Sequence, residues 1–262
     1  MSISLICIYN DYDQLSNMLL RSLLKKKLGK NVENGYVRIN SEVSLILIDN
    51  RSNLHSSAAQ AYNFIVEKYI DVLGDILVFL HQDIMLDDNF FLTIKREFVT
   101  CNNQILGLAG IDETGTVFSN LKYAKENNYI TLNQISLKKA VKSVDECCFC
   151  ISKNMLKFAR FDEETCANWH LYAVDLCYHC NLYHNTEIYA LPALNCFHKY
   201  DGKNGLFTDL SFLVTMFNIA RKYKKYCKEI YAPCYICKTN LFYLCIKLLK
   251  TMTKNAIAKI KL

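Results

Sequence analysis

The chain has 262 residues, of which 52% are hydrophobic, and a formal net charge of +6. That is enough to bury one full core, while only 8 Gly and 2 Pro leave little room for long flexible linkers. No apolar run reaches the ~18 residues that span a bilayer, and no basic segment precedes an apolar stretch at the N-terminus. We therefore expect a cytoplasmic protein built on one α/β domain.

Three apolar runs of strand length mark the first third of the chain. They cover residues 4–8, 44–48 and 76–80, and polar residues follow each run at once. Between the runs, apolar positions in residues 15–23 and 57–66 recur with helical spacing. This alternation of strands and helices is typical of an α/β fold with a doubly wound sheet.

The polar residues after these strands are candidates for chemistry, because open α/β sheets bind ligands beyond the carboxyl ends of their strands. Asp83 ends a His-Gln-Asp triplet, and its carboxylate suits Mg²⁺ or Mn²⁺ on a substrate phosphate. On its own, Asp83 is also explained as a strand-end residue that caps a turn. No Gly-x-Gly-x-x-Gly and no Gly-x-x-x-x-Gly-Lys follows a strand, so neither glycine-rich phosphate loop is expected.

The order of these segments resembles that of the family 2 glycosyltransferases of the GT-A fold, in a bacterial branch whose metal triplet reads His-Gln-Asp. The likeness covers roughly the first two hundred residues. It implies a GT-A-like doubly wound sheet, mixed but mostly parallel, that binds a nucleotide-diphosphate sugar. The residues that match the family's donor site are Tyr9, Asn10, Asp49, Asn50, Ser52, Asn63, His81, Gln82 and Asp83.

The second half of the chain matches the acceptor side of the same family. The family's catalytic base normally belongs to a Glu-Asp pair, but Tyr172 and Ala173 occupy that position here. Within this resemblance, Asp175 is the first candidate for the base and His170 is the second. Without it, Asp175 is equally a salt-bridged helix residue and His170 a helix cap.

The resemblance also assigns residues to the metal and to the acceptor. A late strand over residues 191–199 contains His198, which would complete a Mn²⁺ or Mg²⁺ site together with Asp83. Trp169 would stack on a sugar ring of the acceptor. A structural histidine and a partly buried packing tryptophan are the alternatives for His198 and Trp169.

The implied activity is an inverting transfer of a hexose-type sugar from a nucleotide-diphosphate donor to a hydroxyl of a bacterial surface glycan. The glycan could belong to capsule, lipopolysaccharide or glycoprotein, and it could be lipid-linked. Two other functions stay open. A nucleotidyltransferase also places Asp at strand ends around a metal, and a degenerate GT-A-like fold could serve as a binding or partner subunit.

The 13 cysteines are an odd number in a chain without a secretory signal, which favours reduced, buried thiols. Two Cys-x-x-Cys pairs, Cys177/Cys180 and Cys234/Cys237, could together bind zinc in a tetrahedral site. We favour the free thiols, because the first pair lies on a helical stretch.

Charge is concentrated in the last part of the chain. Residues 221–262 hold 11 Lys or Arg and one acidic residue, so we divide the chain into a domain over residues 1–220 and a basic helical extension. From residue 240 onwards the apolar residues follow helical spacing, and the lysines recur along one side. Residues 240–262 could bind peripherally to the inner face of the cytoplasmic membrane, or pack on the domain or on a second subunit. Nucleic acid is not an expected partner.

Overall fold

The computed structural model describes residues 1–24, 35–87, 89–125, 128–130, 133–191, 196–199 and 210–260. In chain order the strands are β1 (Ile3–Tyr9), β2 (Gly35–Arg38), β3 (Val43–Asp49), β4 (Ile76–Leu80), β5 (Ile84–Met85), β6 (Gln104–Gly107), β7 (Ala109–Ile111), β8 (Val117–Ser119), β9 (Lys122–Lys125), β10 (Asn128–Ile130), β11 (Lys139–Ala140), β12 (Ser143–Val144), β13 (Cys148–Ser152), β14 (Glu187–Ala190), β15 (Phe197–His198), β16 (Glu229–Ala232) and β17 (Tyr235–Lys238).

The α-helices are α1 (Tyr12–Leu15), α2 (Arg21–Leu24), α3 (Ala58–Tyr69), α4 (Phe90–Thr100), α5 (Tyr172–His184), α6 (Leu210–Tyr223) and α7 (Leu241–Ile260). A π-helical segment, Ser16–Leu20, joins α1 to α2, and a 3₁₀ turn, Lys153–Lys157, follows β13. Both helices that the spacing predicted in the first third of the chain are present. Asp11 begins the first of them by accepting a hydrogen bond from the Gln14 amide at 2.9 Å.

The central sheet has eight strands in the order β11-β14-β6-β13-β4-β1-β3-β2. β1 pairs in parallel with both β3 and β4, and Tyr9 lies directly opposite Asp49. β13 runs antiparallel between β4 and β6, and β2 runs antiparallel at the edge. The predicted mixed, mostly parallel α/β sheet is therefore confirmed.

The strands are continuous apolar runs because both faces of the sheet are covered. On one face, Phe79 packs in a core cluster that includes residues of α3, α5 and α6. On the other face, Val78 packs in a second cluster with residues of the helical segment 12–24 and of α4. Few polar side chains lie along β1, β3 and β4, where Ser4 and Ser44 bond to each other at 2.9 Å, and most polar residues follow the strand ends.

A small second sheet adds to the carboxyl edge of the central sheet. Its strand order is β10-β9-β15-β5, and β15 pairs antiparallel with β5 so that His198 lies opposite Ile84. The amide of Lys199 donates to the carbonyl of Asp83 at 3.0 Å. This pairing carries His198 to Asp83 across more than a hundred residues of chain. Of the predicted late strand, residues 192–195 lie outside the described residues.

The C-terminal segment is only partly an extension. Ile230 and Ala232 of β16, Cys237 of β17 and Leu244 of α7 are buried in the same core cluster as α5 and α6. The predicted boundary after residue 220 falls inside α6. None of the helices within the described part of the chain is long and apolar enough to cross a membrane.

Candidate functional site

Three side chains meet at the carboxyl end of β4. The Nε2 atom of His198 lies 3.3 Å from Oδ1 of Asp83, and Nδ1 of His81 lies 3.9 Å from the same oxygen. One ligand atom from each residue falls within 4.8 Å of the other two. Sequence reasoning paired Asp83 with His198, and the structure adds His81 to the group.

The charges of these side chains depend on one another. Burial lowers the pKa of His81 in spite of the nearby Asp83 carboxylate. Burial also opposes the charged forms of Asp83 and His198, but their mutual hydrogen bond and attraction lower the pKa of Asp83 and raise that of His198. These shifts favour the charged forms of Asp83 and His198 and the neutral form of His81.

The donor set fits a divalent cation of the first transition row. Imidazole nitrogens and a carboxylate are ligands for Mn²⁺ and its neighbours, whereas Mg²⁺ prefers oxygen alone. Within the described residues this is the one group of three or more His, Cys, Asp or Glu side chains at such distances. The two Cys-x-x-Cys pairs do not assemble a site there, and the thirteen cysteines are free thiols.

A second layer, which sequence reasoning missed, supports His81. The Tyr172 hydroxyl lies 3.2 Å from Nε2 of His81, and this contact fixes the ring with Nδ1 towards Asp83. The amide of His81 donates to the carbonyl of Cys147 at 2.9 Å. Asp145, two residues before Cys147, adds negative charge that acts on His81 and His198.

Glu146 is the other acidic residue of this second layer. Burial, and then repulsion from Asp145, raise the pKa of Glu146 well above its usual value, although backbone amides at the start of α5 oppose the rise. Its buried Oε1 atom has no hydrogen-bond partner. Topology is the signal that could have found both acids. β13 runs antiparallel to β4, so the residues before β13 lie beside those after β4.

The side chain of Gln82, the middle residue of the triplet, makes four hydrogen bonds within the protein. Its Oε1 accepts hydrogen bonds from the amides of Asn10 and Asp11, at 2.8 and 3.0 Å. Its Nε2 donates to the side chains of Asn10 and Gln14, each at 2.8 Å. Gln82 thus ties the end of β4 to the end of β1 and the start of α1.

Tyr9 and Asp49 lie side by side beyond β1 and β3. The Nε atom of Arg51 donates to both carboxylate oxygens of Asp49, each at 3.0 Å. The guanidinium of Arg51 lies 5.7 Å from the ring centre of Tyr9 and 5.9 Å from that of Tyr12. The hydrogen bonds from Arg51, with a further one from Tyr9, lower the pKa of Asp49 to about 2 despite partial burial. A cation between two aromatic rings therefore lies beside this carboxylate.

The remaining donor-site candidates differ in what they contact. The buried Asn50 side chain bonds to the backbone N and O atoms of His55, at 2.8 and 3.1 Å, and so holds its own loop. Asn63 of α3 bonds to the backbone of Phe161, at 2.9 and 3.2 Å. Ser52 is exposed on the loop after β3. The side chains of Asn50 and Asn63 therefore hold neighbouring backbone segments in place.

The two candidate bases have different environments. His170 is half-buried just before α5, and its ring packs 5.8 Å from that of Phe212. Trp169, beside it, is 38% exposed. Asp175 is buried on α5, where Lys222 lies within 2.9 Å of both carboxylate oxygens and the Tyr223 hydroxyl donates at 2.9 Å. Of the two, Asp175 is therefore the one whose side chain is already paired with a cation.

Solved structures with a similar fold were found by comparison, although their sequences differ widely from this one. No protein-family model matches the chain, and no curated protein matches its sequence. The structure is similar to that of GalNAc-T7 with UDP, GalNAc and Mn²⁺, with a TM-score of 0.56 and 12% identity over 86% of this chain and 48% of that one. TarS of S. aureus matches with a TM-score of 0.49 and 15% identity over 85% of this chain and 39% of that one. The chain thus spans about half the length of these GT-A-type glycosyltransferases or less.

Proposed function

We propose that this protein is a glycosyltransferase that takes its sugar from a nucleotide-diphosphate donor. The observation that carries the proposal is the cluster of His81, Asp83 and His198 at the carboxyl end of β4 in a GT-A-like sheet. GalNAc-T7, which shares this fold, was crystallised with UDP, GalNAc and Mn²⁺. That content supports the same class of donor here.

The donor would lie along the ends of β1, β3 and β4. Tyr9 and Asp49, opposite each other in register, would contact the base and ribose, with Asn10 and Ser52 at the rim. Arg51 now lies over the Tyr9 ring, so the guanidinium must shift if a base is to stack there. Gln82 would keep the two strand ends at a fixed spacing through its four hydrogen bonds.

His81, Asp83 and His198 would hold a divalent cation, for which their mixed nitrogen and oxygen donors favour Mn²⁺ over Mg²⁺. When bound, such a cation neutralises charge on the leaving diphosphate. Tyr172 would keep His81 in the orientation that points Nδ1 to the site. The low pKa of Asp83 keeps its carboxylate ionised and available as a ligand.

We propose an inverting transfer with His170 as the base. The acceptor hydroxyl loses its proton to the base as its oxygen bonds to the anomeric carbon and the nucleotide diphosphate leaves. His170 fits this role better than Asp175, because Lys222 and Tyr223 already occupy the Asp175 carboxylate. The exposed face of Trp169 would stack on the acceptor sugar. The acceptor we propose is a bacterial surface glycan, free or lipid-linked, a choice that rests on the family resemblance.

Nucleotide binding tests the proposal directly. Melting temperatures would be measured with a panel of nucleotide diphosphates, with and without Mn²⁺, for the wild type, Asp83→Asn and Asp71→Asn. Asp71 is the matched control, because it is an exposed carboxylate before β4 whereas Asp83 follows the same strand. We expect one nucleotide to stabilise the wild type and Asp71→Asn by about 2–3 kcal/mol at a hundredfold excess over its dissociation constant, only with Mn²⁺. Asp83→Asn should lose this response.

The outcomes separate the proposed enzyme from its alternatives. No stabilisation by any nucleotide diphosphate would overturn the proposal in favour of a degenerate partner subunit. If the active protein released pyrophosphate instead of a nucleotide diphosphate, it would be a nucleotidyltransferase. Release of a nucleotide diphosphate together with a glycosylated acceptor would support the transferase.

A further inference from the structure

α7 carries an apolar surface that the rest of the described structure leaves open. Phe242 is 76% exposed, Leu249 is 62% exposed and Ile246 is 37% exposed, and Cys245 beside them is also exposed. Positions three, four and seven residues apart share one face of an α-helix. We call these four residues the α7 stripe.

A neighbouring face of α7, about 120° around the helix from the stripe, packs on the domain. Leu244 is 2% exposed within the core, and Leu241 and Leu248 pack against the same core cluster. α7 also lies against α6. The helix is therefore held on the domain by one apolar face while its second apolar face turns outward, which a helix that only packs on its own domain does not need.

The part of the chain that leads into α7 and continues along it carries charge of one sign. Glu229 is the last acidic residue of the chain, and six lysines follow it. Of these, Lys238 and Lys250 are exposed in the described structure. A second copy of the chain would bring the same basic segment against itself, whereas an anionic surface would attract it.

We propose that the α7 stripe binds an anionic lipid surface, with α7 lying flat in the headgroup region. Apolar side chains on one side of a helix with lysines around them are the arrangement that binds at a bilayer interface without crossing it. Each lysine near an anionic bilayer adds about 1 kcal/mol, or roughly fivefold in affinity. This inference does not depend on the proposed sugar transfer.

Vesicle co-sedimentation of the full chain tests the proposal. The vesicles would contain phosphatidylcholine with phosphatidylglycerol, or phosphatidylcholine alone. We expect the wild type to bind the anionic vesicles and to dissociate as salt is added. The triple variant Phe242→Gln, Ile246→Gln, Leu249→Gln should bind more than about tenfold more weakly, and Lys238→Gln with Lys250→Gln roughly twenty-fivefold more weakly.

The matched control is Leu92→Gln with Val99→Gln, which changes exposed apolar residues of α4, 68% and 75% exposed. We expect this variant to bind like the wild type. Circular dichroism and melting temperature would show that all variants fold. Equal binding of the triple variant and the wild type would overturn the proposal. So would a wild-type dimer in solution that the triple variant abolishes while neither protein binds vesicles.

Discussion

Asp83 and Asp175 are both carboxylates that the sequence marks as functional, and each faces a basic side chain, but their surroundings differ. Asp83 is 18% exposed at a strand end and faces two imidazoles, at 3.3 and 3.9 Å. Asp175 is 3% exposed inside α5 and faces Lys222 at 2.8 Å. The nature of the partner therefore separates the two sites.

An imidazole and an ammonium group have different uses beside a carboxylate. His198 can release its proton and offer a lone pair, so the pair with Asp83 can open to a cation. Lys222 has three donors and no acceptor, and all its described bonds go to Asp162 and Asp175. The first pair is thus suited to binding, while the second joins α5, α6 and the loop before α5.

The largest effects are expected when Asp83 and Asp175 are each replaced by asparagine. Asp83→Asn should lower the proposed transferase activity by about a thousandfold, because a charged ligand of the proposed cation is lost. Asp175→Asn should keep the activity of the folded protein and lower its stability by about 1–3 kcal/mol. Activity assays and urea denaturation measure the two effects. Loss of activity without loss of stability in Asp175→Asn would restore Asp175 as the base.

Removing the positive charge of Lys222 beside Asp175 should have the next largest effect. Lys222→Met leaves Asp175 without its positive partner, and we expect a loss of about 3–5 kcal/mol in the free energy of unfolding at neutral pH. Leu248→Met, which changes a half-buried apolar residue of α7, is a control that should cost less than about 1.5 kcal/mol.

The pH dependence of this variant has a definite sign. Burial already raises the pKa of Asp175 in the presence of Lys222, and removal of Lys222 raises it further. A carboxyl whose pKa is higher in the folded than in the unfolded state stabilises the fold only when protonated. The deficit of Lys222→Met should therefore shrink as the pH falls towards about 4. A deficit that is constant with pH would mean that the charge of Asp175 is not its cause.

The strand-end positions of the residues that we propose for the donor could be predicted from the sequence, because their signals are local. Each buried strand is a short apolar run, and the polar residue that follows it must lie at the sheet edge. The position of Asp83 needed nothing more. The sequence does not show that the side-chain amide of Gln82 bonds to Asn10, Asp11 and Gln14. Those bonds depend on the distance between the ends of β4 and β1.

The surroundings of His81 and Asp175 could not be predicted in the same way, because the residues that contact them are distant in sequence. Tyr172 meets His81 across 91 positions, and Lys222 meets Asp175 across 47. The first contact depends on how α5 packs on the central sheet, and the second on how α5 and α6 pack together. A local pattern placed Asp175 in a helix correctly, but it could not reveal the lysine opposite.

Tyr172→Phe sharpens the comparison by removing one hydroxyl, which contacts His81 and lies 3.5 Å from the carbonyl oxygen of Glu146. The hydroxyl contact of Tyr172 with His81 is lost, while the ring keeps its packing against Tyr62 at 5.5 Å between centres. We expect a ten- to hundredfold loss of Mn²⁺ affinity, read from the metal dependence of nucleotide binding. Tyr178→Phe, on the same helix but bonded to the backbone of Tyr231, should leave metal affinity unchanged. Equal affinity in Tyr172→Phe and the wild type would remove Tyr172 from the site.

The smallest effect should come from a third pair of this kind, Asp49 with Arg51. Their side chains are 24% and 47% exposed, so solvent weakens the attraction, and we expect Arg51→Ala to lower the free energy of unfolding by less than about 1 kcal/mol. The hydrogen bonds from Arg51 hold the pKa of Asp49 at about 2, below its unfolded value of about 3.9. The contribution is therefore present above about pH 4 and disappears as the pH falls towards about 2. Urea denaturation across this range would measure it. A loss above 2 kcal/mol that persists at about pH 2 would mean that Arg51 stabilises the fold through its contacts with Tyr9 and Tyr12 instead.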